Sequence, residues 1–299
     1  MPELPEVETT VRGLQKEVIG LQITDVWTDL DTKDKRKSDT VANPKFFKLF
    51  KKEIIGRKIV KAERRAKNIL IHLSGGKTIL IHLKMTGYLF YGKDPKIKYA
   101  HVIFSLSNKT SPRPSPYKGE GVRYLVFSDL RKFGKMTLLN TEQVPESKHL
   151  KDLGPEPLAR DFTLEKFKQR ILKKPNGKIK TVLMNQALVV GIGNIYSDEI
   201  LWRAEIHPER KVQNIKIAEY EKMWKAIKET LKKGIDFGGD SMSDYKNIYG
   251  LNGAFQLHHE AYRRTGELCR HKKCQNKKSV IIRKMVNNRS AHFCSKHQI

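Results

Sequence analysis

Residues 190–199 read Val190-Gly191-Ile192-Gly193-Asn194-Ile195-Tyr196-Ser197-Asp198-Glu199. Two glycines flanking one apolar residue, in a part of the chain whose pattern is helical, describe a tight turn between helices. Such a turn brings backbone amides close to a phosphate, and the start of the following helix adds positive potential. A Gly-Ile-Gly alone is common to many tight loops; the longer run is the specific signal.

The helical pattern around this turn begins near residue 160. Thr163 can cap a helix, with Phe162 and Phe167 placed as a hydrophobic staple. Ile217, Tyr220, Met223, Trp224, Ile227 and Leu231 recur at helical spacing and predict an apolar stripe. Upstream, to about residue 140, the pattern is strand-like. Asn68–Leu73 and 78–83 flank Ser74-Gly75-Gly76-Lys77 and predict a hairpin. Residues 102–106 and 122–127 predict a second pair, and the low-complexity connection 111–121 reads as a disordered surface insertion. Ahead of the strands, Pro5, Glu6 and Glu8 suit the start of a helix and Gly20 its stop, with Val7, Val11, Leu14 and Val18 as the buried stripe. After Gly238-Gly239 comes a polar loop, then a tail with eleven Lys/Arg and the single acid Glu267 between 261 and 299. No internal repeat is visible. The fold class is α+β multidomain: a β-rich first domain, a helical second domain and a small terminal module.

Across 299 residues, 59 Lys+Arg stand against 32 Asp+Glu, a formal net charge of +27. A chain this basic attracts a polyanion, and nucleic acid is the default partner; a nucleic-acid-associated protein without chemistry would carry the same charge. Three cysteines, an odd number, argue against a disulfide framework and fit a reducing cytoplasm. The acidic, Pro-containing start is unlike a secretory signal peptide. No apolar run approaches the roughly 20 residues that span a bilayer.

Two local patterns carry chemistry. If Met1 is removed, Pro2 becomes a secondary amine able to attack a sugar carbon and form an iminium, with Glu3 beside it as a candidate general acid/base. The positive end of the following helix disfavours the protonated amine. The competing reading is an ordinary start that merely opens a helix. At the other end, Cys269-x4-Cys274 and Cys294-x2-His297 form two ligand pairs that suit one structural, tetrahedral Zn²⁺. His258, His259, His271 and His292 compete for the fourth position.

Pro2-Glu3-Leu4-Pro5-Glu6-Val7 resembles the start of the formamidopyrimidine-DNA glycosylases; relatives of the endonuclease VIII type usually carry Gly at the position of Leu4. Arg64-Arg65-Ala66-Lys67 resembles the family's segment bearing an active-site lysine. His82-Leu83-Lys84-Met85-Thr86-Gly87 is similar to its Met-delivering turn, and Asp129-Leu130-Arg131-Lys132-Phe133-Gly134 to its Arg/Phe loop. Leu153-Gly154-Pro155-Glu156-Pro157-Leu158 resembles the domain junction, and 190–196 the helix–two-turns–helix motif. Asn288-Arg289-Ser290-Ala291-His292-Phe293-Cys294 resembles the hairpin whose Arg clamps phosphates. The resemblance runs through the whole chain in family order. It departs at the metal ligands, where the family usually has two Cys-x2-Cys pairs. It departs again at Tyr249-Gly250-Leu251-Asn252-Gly253, within the 238–256 loop that corresponds to a lesion cap.

The resemblance implies an N-terminal β-sandwich with an N-terminal helix (1–145), a helix–two-turns–helix domain with the capping loop (146–260) and a zinc-finger hairpin (261–299), with DNA in the cleft between them. It implies a bifunctional glycosylase/AP lyase of base excision repair that removes 8-oxoguanine and formamidopyrimidines from double-stranded DNA, or cleaves at abasic sites. Pro2 is the nucleophile, with Glu3 and Lys67 completing the catalytic set. Glu6, His82, Lys180, Asn194 and Arg289 bind DNA. Met85 fills the gap left by the flipped base, Arg131 pairs with the widowed base and Phe133 wedges the opposite strand. The expected protein is a monomer in a bacterial-type cytoplasm, associated with the nucleoid, without a membrane partner. The alternatives are an endonuclease VIII-like enzyme for oxidised pyrimidines and a non-catalytic DNA-binding protein.

Overall fold

The computed structural model describes residues 1–108, 122–242, 244–275 and 278–299, so the 111–121 connection lies outside the described residues. The chain divides into two compact units. One comprises Met1–Pro2, Glu6–Lys151 and Gly238–Gly253; the other comprises Glu3–Pro5, Asp152–Phe237 and Ala254–Ile299.

The first unit opens with most of α1 (Leu4–Glu17), which buries Val7, Val11 and Leu14, with Val18 just beyond it. The turn after it closes at Gly20, whose φ of +87° suits a residue without Cβ. There follow β1 (Gln22–Thr28), α2 (Pro44–Ile54), β2 (Ile59–Arg65), β3 (Asn68–Leu73), β4 (Lys77–His82), β5 (Tyr88–Gly92), β6 (Ala100–Ser107), β7 (Val122–Ser128) and β8 (Lys135–Asn140). They make two antiparallel sheets, ordered β1-β6-β7-β5 and β2-β3-β4-β8. One apolar core joins Ile69, Ile71, Ile79 and Ile81 of one sheet with Val26, Leu89, Phe104 and Leu125 of the other, together with α1. Both predicted strand pairs form, as β3–β4 and β6–β7. Helix α2 was not anticipated in the strand-like stretch. It is opened by Asn43, which accepts from the Phe46 amide (3.0 Å), and by Pro44 in its first turn; Phe50 and Ile54 enter the core. The segment Gly238–Gly253 belongs here too. Ile248 is buried so closely over Gly13 that a Cβ there would stand 2.7 Å from it.

The second unit contains α3 (Leu164–Ile171), α4 (Ile179–Leu183), α5 (Asn194–Ala204), α6 (Ile217–Asp236), β9 (Ile282–Val286) and β10 (Arg289–Phe293). Thr163 caps α3 by accepting from Lys166 N at 3.1 Å, and the Phe162 and Phe167 rings lie 5.9 Å apart, as the staple requires. On α6, Tyr220, Met223, Ile227 and Leu231 are buried. Ile217 departs from the predicted stripe: at the stripe's edge in the first turn, it is 78% exposed. Strands β9 and β10 form a hairpin whose two turn residues, Asn287 and Asn288, both have positive φ.

Candidate active site and metal centre

The two carboxylates of the amino-terminal motif are held differently, within different units. Glu3 accepts from the amides of Gly193 and Ile195 at the start of α5, so the positive end of that helix faces its carboxylate. A Cβ on Gly193 would lie 2.4 Å from the Glu3 carboxyl carbon, which is why glycine stands there. The turn read as a phosphate cradle therefore spends two of its amides on this chain's own Glu3. Glu6 accepts from Asp240 N (2.7 Å) through its side chain, while its carbonyl accepts from the Tyr245 hydroxyl (3.0 Å) and from Thr10 (2.9 Å). Burial pushes the Tyr245 phenol well up, so it remains a donor.

Lys67 lies in the turn between β2 and β3 and is buried. Arg64 secures that turn by donating to Glu8 of α1 (2.9 Å) and to Ala66 O (3.0 Å). His82 faces Asn68 and Lys135 across the sheet. Burial, and then the ammonium groups of Lys84, Lys67 and Lys135, push His82 down to about 3. Its ring is thus neutral, with Nδ1 accepting from Lys84 N (3.0 Å) and the proton left on Nε2. Lysines and a neutral histidine at one end of a sheet make a setting for an anion.

Met85, Arg131 and Phe133 are all exposed, and one buried side chain unites their turns. Asp129, fully buried, accepts from the Thr86 hydroxyl, from Arg131 N (3.3 Å) and from Gly134 N (2.7 Å). Arg131 N also donates to Thr86 Oγ1 at 3.2 Å. The Met turn and the Arg/Phe loop are thereby one assembly presenting three side chains to solvent. Asp129 and Thr86 were visible in the sequence only as loop letters.

In the second unit Arg289 is exposed at the start of β10, just after the hairpin turn. Asn194, the first residue of α5, donates through Nδ2 to Ser290 Oγ (3.2 Å). Lys180, expected at a phosphate-binding position, is buried among groups of its own unit. Its side chain is 0% exposed, and its ammonium donates to Asp198 Oδ1 (2.5 Å), Ser197 Oγ (3.0 Å) and Asn194 O (3.3 Å). Its ammonium thus has three acceptors within this unit.

Cys269, Cys274, Cys294 and His297 converge, with their ligand atoms within 4.8 Å of one another. The Cys274 and Cys294 sulfurs are 3.7 Å apart, and His297 Nδ1 stands 3.4 Å from Cys274 Sγ and 3.5 Å from Cys269 Sγ. His297 Nε2 meets the Trp202 carbonyl at 3.2 Å, which orients Nδ1 toward the thiols. Burial first, then the neighbouring His271, push His297 down to about 4, so the ring is neutral as a ligand must be. The competing histidines have other neighbours, His259 meeting the Phe255 and Tyr262 rings edge-on. His292 is bound to Asp198 (3.0 Å), His271 stacks on His297 and faces Glu205, and His258 stacks on Phe237. The quartet can hold a metal ion.

The chain thus has a two-sheet unit with most of an N-terminal helix and a helical unit ending in a Cys3His hairpin. Residues 1–136 match the formamidopyrimidine-DNA glycosylase N-terminal domain and 153–246 the formamidopyrimidine-DNA glycosylase H2TH domain. The chain belongs to the formamidopyrimidine-DNA glycosylase family. A formamidopyrimidine-DNA glycosylase of Desulforamulus reducens is 39% identical, covering 100% of this chain and 99% of the relative. The structure of Lactococcus lactis Fpg with abasic-site DNA superimposes with a TM-score of 0.82 at 31% identity, covering 99% of each chain. A variant of the same Lactococcus lactis protein with Fapy-dG-containing DNA gives 0.83 at the same identity and coverage. No described helix is long and apolar enough to cross a membrane.

Proposed function

We propose that this chain is a DNA glycosylase and abasic-site lyase of base excision repair, removing 8-oxoguanine and formamidopyrimidines from double-stranded DNA. The observation that carries the reading is Glu3: a buried carboxylate, oriented by two amides at a helix N-terminus, next in the chain to Pro2. With Met1 removed, the Pro2 secondary amine attacks C1′ of the flipped nucleotide. The glycosidic bond breaks, its electron pair leaves with the base, and opening of the sugar leaves an iminium between Pro2 and C1′. The iminium acidifies the adjacent C2′ proton, so β-elimination expels the 3′ phosphate and δ-elimination the 5′ phosphate, giving a one-nucleotide gap. Glu3 serves as the local acid/base.

Lys67, His82, Asn194 and Arg289 fix the lesion strand through its phosphates, and Glu6 secures the segment that follows Gly238. Met85, Arg131 and Phe133 offset the few kcal/mol lost on unstacking a base. Their exposure supports this role, since core packing would have hidden the Met and the Phe. The Cys3His quartet would hold one structural Zn²⁺: its ligand atoms lie within 4.8 Å of one another, and three thiols with one imidazole suit that ion. The enzyme works as a monomer on DNA in the cytoplasm.

Borohydride trapping tests the reading on duplexes carrying 8-oxoguanine opposite cytosine, dihydrouracil opposite guanine, or an abasic site. Prompt cross-linking to the 8-oxoguanine strand, absent in Pro2→Gly and in protein retaining Met1, is expected. Prompt trapping on dihydrouracil alone would replace the substrate class. Full strand cleavage by Pro2→Gly would overturn the mechanism.

A further inference from the structure

Lys180 is buried away from solvent, yet it is one member of a polar network that the proposed chemistry does not use. Asp198, on α5 one turn beyond Asn194, is 1% exposed and accepts on both oxygens. Oδ1 receives Lys180 Nζ from α4, while Oδ2 receives the amide (3.0 Å) and the ring Nδ1 (3.0 Å) of His292 from β10. Two further bonds run beside it: Asn194 Nδ2 to Ser290 Oγ, and Asn287 Nδ2 to Thr181 Oγ1 (3.5 Å). Between them these contacts tie the hairpin turn and β10 onto α4 and α5. Arg289 is exposed and stands within this tied strand, three residues before His292. A buried ion pair gives little net stability, because desolvation offsets its attraction, so its better-attested use is to specify one arrangement.

We propose that Asp198 is a positioning residue for DNA binding, holding the Arg289 hairpin in a fixed register against the start of α5. Arg289 and Asn194 then reach neighbouring phosphates without searching for their geometry, so the enzyme binds with less ordering to do. Loss of the carboxylate loosens the hairpin and weakens binding, while the Pro2 chemistry on bound DNA proceeds. The inference rests on the proposed function for the role of Arg289.

The experiment is a double-mutant cycle on the full-length zinc-loaded protein, with Asp198→Asn, Arg289→Ala and the pair. Affinity is read with a duplex bearing a tetrahydrofuran abasic analogue, and single-turnover excision with saturating 8-oxoguanine duplex. Asp198→Asn is expected to weaken binding about tenfold or more and to slow saturated excision less than threefold. In the Arg289→Ala background it should cost almost nothing further, because the group it positions is gone. Additive losses, unchanged affinity, or a loss confined to the saturated rate would overturn the proposal. If Asp198→Asn does not fold, His292→Phe is substituted in the same cycle; it keeps the amide bond, removes the ring donor, and should show the same non-additivity with a smaller loss. Failure of the wild-type protein to bind the duplex would instead overturn the proposed function.

Discussion

In the first unit Met85, Arg131 and Phe133 stand on turns gathered around Asp129; in the second, Arg289 stands on a hairpin gathered around Asp198. Both aspartates are buried, and both set exposed side chains by accepting several bonds at once. Among the described residues Asp129 accepts from neutral donors, a hydroxyl and two amides. Asp198 faces an ammonium and joins three separate elements, α4, α5 and β10. An aspartate that shapes its own loops needs no countercharge nearby, because local amides can be aimed at it. One that ties separate elements must be satisfied by whatever side chains those elements bring, and here one of them is a buried lysine. The second arrangement is therefore the more fragile when one partner is removed.

The largest expected effect breaks that fragility open. Lys180→Met strands the Asp198 carboxylate and should destabilise the protein by about 3–5 kcal/mol, read as a drop in urea midpoint. Adding Asp198→Leu should recover most of that stability; a double variant as unstable as the single would show that the pair is not what holds these elements. Asp129→Ala comes next. It removes three bonds to a charged acceptor, and the released amides can turn to water, so about 2–4 kcal/mol is expected. Excision of 8-oxoguanine should fall further than cleavage at a ready-made abasic site, which needs less unstacking. Equal losses on both substrates would mean that the turns do not act as a wedge.

A third effect, graded with pH instead of lost at once, concerns the cationic end of the β3–β4 sheet. Folded His82 takes a proton only near pH 3, against 6.5 for an ordinary histidine. The unfolded state therefore binds the extra proton in the window between, so the stability gained from the neutral ring is complete above about 6.5 and drains as pH falls toward 3. His82→Gln should flatten this part of the stability curve between pH 6.5 and 4. An unchanged slope would place the titration on another group.

Much of this was legible beforehand where the signal is local. The Thr163 cap, the Ser74-Gly75-Gly76-Lys77 turn and the α1 stripe each depend on residues within one or two turns of one another. Helix α2 was just as local, and Asn43-Pro44 was its signal; the surrounding strand pattern overrode it. Ile217 failed for the opposite reason, because spacing assigns a face but does not say how far along the helix that face is covered.

Taken alone, the sequence determined a β-rich half, a helical half and a thiol-rich tail, because periodicity, caps and ligand spacing act along short stretches of chain. It also determined that Cys269, Cys274 and Cys294 needed a fourth ligand. Tertiary structure brought His297, the partner its Cys-x2-His spacing offered, together with the three thiols, while His292 meets Asp198. It also brought Glu3 to amides 190 residues away and buried Lys180 against Asp198. A lysine carries the same charge whether it meets water, a phosphate or a buried carboxylate. Which one it meets is set by the elements that fold beside it, and no short window of sequence contains them.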